Sequence, residues 1–515
     1  VNFPRKYGFL ASLLFSLGAG GLLYCAAPPL NLWLLGIIGI ALLWLLSTGG
    51  VFSRFCCGVL SGFTYFYLLF DWATIASKTE LARVALALSQ SIFIGLLLVI
   101  WTLWHRLVNR SSRHQAIILS VTLILDAFAW VLVEQCRSSF PFGGMPWGTL
   151  AFSLVDSPLI NLASFGSTQL VGFCAVLSAV LIAQAFVSLT RLRFFTVITT
   201  AVTAVALILA PTFIGQYALP TGEVKVGVVQ GNVPDEEKLG PKQSRALIVT
   251  QNHADVTSKI VRDKPDLIIW PESSSDRDIR SDSEAKAILD AVLEETTGTP
   301  MLLGTQKYMG TTRTNDVLAI ENSEVVGTYS KQHPVPFGEY LPWRSFIEKI
   351  VPEAKKISVD MVSGDSPAYL SVKTANGVVR AAVPICFEVA YTSIVSEGAK
   401  NANLLVVPTN NASFGYSGEP LQQLAMTRFR AVELRKSAIQ ASTSGTSAVV
   451  SARGVVRYQS DLFEQAAKTI NVPLYETLTF AVRSAKIRET GIFIAGIAMI
   501  IAMFGISLRN RQRNR

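Results

Sequence analysis

From the amino end to about residue 215, apolar stretches follow one another with only short polar breaks. Each is long enough, at roughly 17 to 25 residues, to cross a bilayer as a helix. They fall near residues 8–26, 30–47, 54–71, 88–105, 116–136, 168–188 and 194–214, and a last one near 491–508. The pattern predicts about eight transmembrane helices, seven before a long polar stretch and one after it. Between about Glu223 and Glu489, short Val, Ile and Leu runs alternate with polar or amphipathic stretches. That alternation is the pattern of an α/β domain. Strands are expected over Val224 to Gln230, Asp266 to Trp270, Met301 to Thr305, Val317 to Glu321, Val325 to Ser330, Val379 to Val383, Asn403 to Val407 and Ser447 to Ser451, and a helix over Leu421 to Ser437. Several strand runs are continuously apolar, which predicts cover on both faces. The domain division is therefore 1–218 for the first seven helices, 219–487 for the polar domain, and 488–515 for the last helix and a basic tail.

Composition agrees with this segregation. With 50% hydrophobic and 16% charged residues, the chain is too apolar for a soluble enzyme of 515 residues and too polar to lie in a membrane throughout. A net charge of +9 raises the question of nucleic acid. The polar domain is close to neutral, however, and the basic excess sits in the apolar segments and the tail, which argues against a nucleic-acid face. Those basic residues also predict orientation, because cytoplasmic loops retain Lys and Arg. Arg5, Lys6, Arg54, Arg106, Arg110, Arg113, Arg191, Arg193, Arg509, Arg511, Arg513 and Arg515 fall on alternate breaks, whereas the opposite breaks carry only Lys78, Arg83 and Arg137. Both termini are thus expected in the cytoplasm, and the polar domain outside the cytoplasmic membrane.

The chemistry concentrates on Cys386. Cys25, Cys56, Cys57, Cys136 and Cys174 lie within or beside apolar segments, which leaves Cys386 alone in the polar domain. An exported thiol without a disulfide partner is either a buried bystander or a nucleophile. Three apolar runs end alike: Leu-Ile-Ile-Trp-Pro271-Glu272, Ala-Ala-Val-Pro384-Ile-Cys386 and Leu-Leu-Val-Val-Pro408-Thr-Asn410. Proline punctuates strands in any protein, yet strand carboxyl ends line the crevice of open α/β sheets, so these endings are candidates to converge.

Glu272 after Trp-Pro, Lys331 before His-Pro-Val-Pro-Phe-Gly-Glu339-Tyr, and Cys386 in Pro-Ile-Cys-Phe-Glu388 resemble the Glu, Lys and Cys triad of the nitrilase superfamily. Arg430-Ala-Val-Glu433 is similar to that superfamily's Arg-Ala-x-Glu helix. With a helical portion on both sides of such a domain, nearly the whole chain resembles the bacterial apolipoprotein N-acyltransferase family, and Glu134 to Trp147 is similar to that family's membrane portion. The resemblance implies an αββα sandwich outside the inner membrane. It implies a ping-pong acyltransferase in which Cys386 takes an acyl chain from a phospholipid as a thioester. The chain then passes to the α-amino group of the diacylglyceryl-cysteine of an apolipoprotein. In that scheme Glu272 is the general base and Lys331 stabilises the thiolate and the oxyanion. The N–H of Phe387 is a second oxyanion donor, and Glu339 and Glu388 are supporting carboxylates. Where family members carry a tryptophan beyond Gln-Gly-Asn-Val-Pro, this chain has Asp235-Glu-Glu-Lys238, so Phe414 and Tyr416 are candidates to supply that wall.

Weaker candidates complete the site. Asn410 and Asn411 read either as substrate contacts or as turn chemistry. His333, just before a proline, competes poorly with Glu272 as base. Asp126 and Glu134 lie eight residues apart with Trp130 between them, so they share a helix face. They either line a groove for lipid head groups or pair within the bundle. The four histidines, His105, His114, His253 and His333, show no ligand spacing, so neither metal nor cofactor is expected. Two further readings stay open: a membrane-tethered amidase or hydrolase in which water resolves the thioester, and a transporter or scaffold with an inactive nitrilase-like domain.

Overall fold

A computed structural model describes residues 9–108, 115–215, 218–234, 244–350 and 357–513. Arg5, Lys6, Arg110, Arg113, Arg515 and the segment 235–238 lie outside the described residues. The chain divides into two compact units, Val1–Gly215 with Ser484–Arg515, and Gln216–Arg483.

The first unit is helical. It comprises α1 (Phe9–Ala26), α2 (Trp33–Leu45), α3 (Val51–Leu69), the short α4 (Asp71–Ser77), α5 (Glu80–Val108), α6 (Gln115–Arg137), α7 (Ala163–Leu189) and α8 (Phe194–Leu209), and the last helix of the chain, Ala485–Arg513, packs on α6. Among the described residues, six helices are long and apolar enough to cross a membrane. The other two expected spans are present as shorter apolar helices, Leu10–Ala26 and Trp33–Leu45. Trp33–Leu45, 13 residues long, extends only about 20 Å at a helical rise of about 1.5 Å per residue. The most extensive helix pair is α3 with α5. A Cβ on Gly58 would come within 2.6 Å of the Ile94 carbonyl, so glycine there lets the two backbones approach closely.

Asp126 settles between the two uses weighed for it: it is buried and paired inside the bundle. Its Oδ2 accepts the indole N–H of Trp44 at 2.8 Å and meets His105 Nε2 at 2.8 Å. Arg137, also buried, donates to the carbonyls of Met145 and Trp147 and so holds the non-helical stretch after α6. Backbone carbonyls that no helix can satisfy thereby find a donor.

The second unit is a four-layer sandwich. Its elements in chain order are β1 (Gly222–Gln230), α9 (Arg245–Ser258), β2 (Leu267–Ile269), α10 (Ser283–Glu295), β3 (Met301–Met309), β4 (Thr312–Glu321), β5 (Glu324–Ser330), α11 (Arg344–Ile350), β6 (Asp360–Met361), β7 (Tyr369–Thr374), β8 (Gly377–Ala382), α12 (Thr392–Ala399), β9 (Leu404–Thr409), α13 (Glu419–Leu434), β10 (Ala438–Ser442), β11 (Ala448–Val450), β12 (Val456–Gln459), β13 (Ala466–Leu474) and α14 (Phe480–Arg483). One sheet runs β13-β1-β2-β3-β4-β5 with β6 beside β4, and the other runs β12-β11-β10-β9-β8-β7. Parallel pairs, β2 with β1 and with β3, and β9 with β8 and with β10, occupy the middle of each sheet. The sheets face each other through β1 against β10 and β4 and β5 against β7. Helices α9 and α10 cover the first sheet, burying Val256, Ile260, Leu289 and Val292 against Ile268, Trp270 and Leu303. Helices α12 and α13 cover the second. Cover on both faces is why the central strands read as unbroken apolar runs. The helix expected over Leu421 to Ser437 ends earlier, because Arg435 turns into the left-handed region and releases the chain into β10.

Candidate active site

The strand endings place the reactive groups. Beyond β2 the chain passes through Trp270 and Pro271 to Glu272; beyond β8 it passes through Val383 and Pro384 to Cys386. Pro408 lies inside β9 rather than after it. There it breaks no ladder with β8, whose pairing to β9 stops at Leu405. Lys331 follows directly on β5.

Cys386 opens a single helical turn, Cys386–Ala390, with φ 53°. A side chain other than glycine in the left-handed region is strained, and such strain concentrates where a reactive group must be presented at a sharp turn. The turn is held by Glu388, which is fully buried. Its Oε2 accepts from the Ile385 N–H and the Tyr329 hydroxyl, both at 2.8 Å; its Oε1 accepts from the N–H groups of Gln332 (2.6 Å) and His333 (2.9 Å). All four lone-pair directions are used. Glu388 therefore ties the Cys386 turn to the segment carrying Lys331, and it is occupied by that task. Burial raises its proton affinity and outweighs the opposing pull of Lys331 and of the Ile385, Tyr329 and His333 donors.

The Lys331 ammonium is buried between two carboxylates, 3.3 Å from Glu272 Oε1 and 2.7 Å from Glu339 Oε1. Burial by itself would favour the neutral amine, but the negative charges of Glu272 and Glu339 win and hold Lys331 well above its ordinary range. Glu272 is itself fixed: Asn315 Nδ2 donates to Oε1 at 2.6 Å and the Asn410 N–H donates to Oε2 at 2.8 Å. Glu339 Oε2 accepts the Val335 N–H at 2.7 Å, which closes the Pro-Phe-Gly turn back on the lysine. The Cys386 thiol is pushed up by burial first and by Glu272 next, with Lys331 acting against both. At neutral pH the resting sulfur is a thiol beside an ordered carboxylate and an ammonium.

The weaker candidates fall elsewhere. Asn410 contributes its backbone N–H to Glu272, while its side chain accepts the Ala412 N–H at 3.1 Å in a turn. Tyr416 is exposed and leans on Phe463 at 4.8 Å; Phe414 ends a short turn, Ala412–Phe414. His333 stacks on Tyr391 at 4.1 Å. In the helical unit, Glu134 Oε1 accepts the Leu150 N–H at 2.8 Å, and Trp130 is buried. Both line a small space of about 10 Å³, roughly that of one water, with Tyr65, Phe66 and Arg137. Sequence reasoning missed Asn315, which it left outside the strand expected from Val317, and Tyr329 and Gln423, which carry no motif.

Comparisons with known proteins cover nearly the whole chain. Residues 19–181 match the family model described as apolipoprotein N-acyltransferase N-terminal domain, and residues 225–509 match that described as carbon-nitrogen hydrolase. The apolipoprotein N-acyltransferase of Mycolicibacterium smegmatis is 30% identical over 95% of this chain and 85% of its own length. That of Azotobacter vinelandii is 29% identical over 97% of this chain and 96% of its own length. A solved CN-hydrolase superfamily protein from Xanthomonas campestris, with an arsenic adduct in its active site, is 14% identical, covers 53% of this chain and 96% of its own, and superposes with a TM-score of 0.35.

Proposed function

Given that the chain belongs to the apolipoprotein N-acyltransferase family and is an N-acyltransferase, we propose that Glu272, Lys331 and Cys386 carry the acyl group through a thioester. Glu272 takes the thiol proton as sulfur attacks the ester carbonyl of a phospholipid. The C–S bond forms, the ester C–O bond breaks, and the proton passes to the departing lysophospholipid oxygen. In the second half, the α-amino group of a diacylglyceryl-cysteine on an apolipoprotein attacks the thioester. The C–N bond forms, the C–S bond breaks, sulfur leaves with the electron pair, and the amine's proton travels through Glu272 to sulfur.

An ammonium has three N–H bonds. Two are engaged by Glu272 and Glu339, so the third remains for the tetrahedral oxyanion, with the Phe387 N–H after the nucleophile as its companion. The observation that carries this reading is the buried Lys331 ammonium held between the Glu272 and Glu339 carboxylates beside Cys386. The polar domain faces outward from the inner membrane, with both chain ends inside; the distribution of Arg and Lys supports it. A reporter fused after Arg515 and active only outside the cytoplasm would reverse that orientation.

The direct test is chemical. Full-length protein in micelles, incubated with phospholipid alone, should accumulate a hydroxylamine-sensitive acyl group on Cys386, and the Cys386→Ala variant should not. Addition of a diacylglyceryl lipopeptide should discharge it as an amide. Discharge by water at the same rate without lipopeptide would make the protein a hydrolase, and no adduct at all would remove Cys386 as nucleophile.

A further inference from the structure

Helix α13 places Gln423 against the reacting sulfur, fully buried, with Nε2 3.6 Å from Cys386 Sγ. At sulfur's larger radius that separation is a hydrogen bond. The orientation of the amide is determined by its neighbours. Gln423 Oε1 accepts from the Thr409 hydroxyl at 2.8 Å and from Asn411 Nδ2 at 2.8 Å, so both its lone pairs are used and the NH₂ end has to face the sulfur. Asn411 is oriented in turn, since its Nδ2 also donates to the buried Glu419 carboxylate at 2.8 Å and its Oδ1 accepts the Ser442 hydroxyl at 2.7 Å. A carboxylate can only accept, so its position propagates through Asn411 to the Gln423 amide.

We infer that Gln423 is a dedicated hydrogen-bond donor to the Cys386 thiolate, held in register by Asn411 and Glu419. The inference rests on the reading of Cys386 as nucleophile. Three charged groups face the sulfur: Glu272 beyond β2, Lys331 beyond β5 and Glu419 on α13. Two of the three are carboxylates that oppose a thiolate; the Thr409 hydroxyl also reaches the sulfur and lowers its proton affinity, and Gln423 Nε2 adds a further donor without adding charge. It acts twice per cycle, when the thiol loses its proton and when sulfur leaves the thioester with the electron pair.

The experiment follows alkylation of Cys386 by iodoacetamide against pH, read by peptide mass spectrometry on the full-length protein in micelles, alongside acyl transfer to a lipopeptide. Gln423→Met keeps the volume and removes the donor. Its alkylation midpoint should rise by about one unit or more and its transfer rate should fall roughly ten- to hundredfold, the range expected for a hydrogen bond to a charged group. A folded Gln423→Met with the wild-type midpoint overturns the inference. Should that variant fail to fold, Gln423→Glu is read by the same criterion, and its carboxylate should raise the midpoint further. Unshifted midpoints in variants whose Cys386 still traps acyl overturn only the part given to Gln423. Wild-type protein that never acylates Cys386 overturns the nucleophile and this inference together.

Discussion

Two buried charged clusters in this chain use similar residue types and differ in what they leave over. In the helical unit, Ser47 Oγ meets His105 Nδ1 at 2.9 Å and His105 Nε2 meets Asp126 Oδ2 at 2.8 Å, the residue types of a hydrolytic triad. In the sandwich, Lys331 meets Glu272 and Glu339. The Ser47 hydroxyl sits at the end of α2 among packed helices, with almost no exposure, and Trp44 and Trp101 close the cluster by donating to the Asp126 side chain and carbonyl. Those bonds join α2, α5 and α6. The sandwich cluster instead leaves a donor of Lys331 uncommitted beside a cysteine in strained backbone. Buried charge therefore marks chemistry only where a nucleophile and a spare donor accompany it; otherwise it fastens helices together.

Substitution tests that contrast from its strongest side. Glu272→Gln preserves the size but removes the base and one of the two carboxylates that neutralise Lys331. Acyl transfer per folded molecule should fall by roughly 10²- to 10⁴-fold, with some loss of thermal stability from the broken buried ion pair. Near-normal turnover of Glu272→Gln would dissolve the distinction. Asp126→Asn should do the opposite: it weakens the bonds to His105 and Trp44, lowering stability by about 1 to 3 kcal/mol on thermal unfolding, while transfer per folded molecule stays near wild type. A folded Asp126→Asn with abolished transfer would give the helical cluster a catalytic part.

A third effect, of similar size on stability and without consequence for transfer, comes from a buried group with no charged partner among the described residues. His253 donates Nδ1–H to the Val249 carbonyl at 2.7 Å beside Trp270, and burial pushes its proton affinity from 6.5 down to about 4. The unfolded chain thus binds a proton that the folded chain refuses between those values. Stability is fully present above pH 6.5 and is lost as pH falls toward 4, by about 2 kcal/mol at pH 5. Thermal midpoints of the full-length protein at pH 7 and pH 5 should differ accordingly, and His253→Asn should shrink the difference. An equal difference in that variant assigns the acid sensitivity to other groups.

Much of the architecture was legible along the chain, for identifiable reasons. Apolar length marks a membrane helix, and doubly covered strands such as β2 and β9 need apolar residues on both faces, so both leave a one-dimensional signal. Strands β7, β12 and β13 were not expected. β7 and β12 alternate toward solvent, and β13 carries Pro473 and polar positions along its antiparallel pairing with β1. Strand β10 was absorbed into the end of the preceding helix, because Ala, Gln and Ser carry little strand preference and its burial comes from neighbours on both sides.

By itself, the order of residues determined the division into helical and polar parts and the α/β class of the polar part, because burial patterns leave a local signal. The αββα sandwich and the choice of Glu272, Lys331 and Cys386 came from the resemblance of their motifs to the nitrilase superfamily. Tertiary structure alone decided that Glu388 is consumed in bracing the Cys386 turn, that Asn315 holds Glu272, that Asp126 is shut inside the bundle and that Gln423 points at sulfur. Each depends on which strand or helix meets which, and at what register. Hydrogen bonds such as that of Gln423 to Cys386, 37 positions apart, or of Asn410 to Glu272, 138 positions apart, leave no spacing for a linear reading to find.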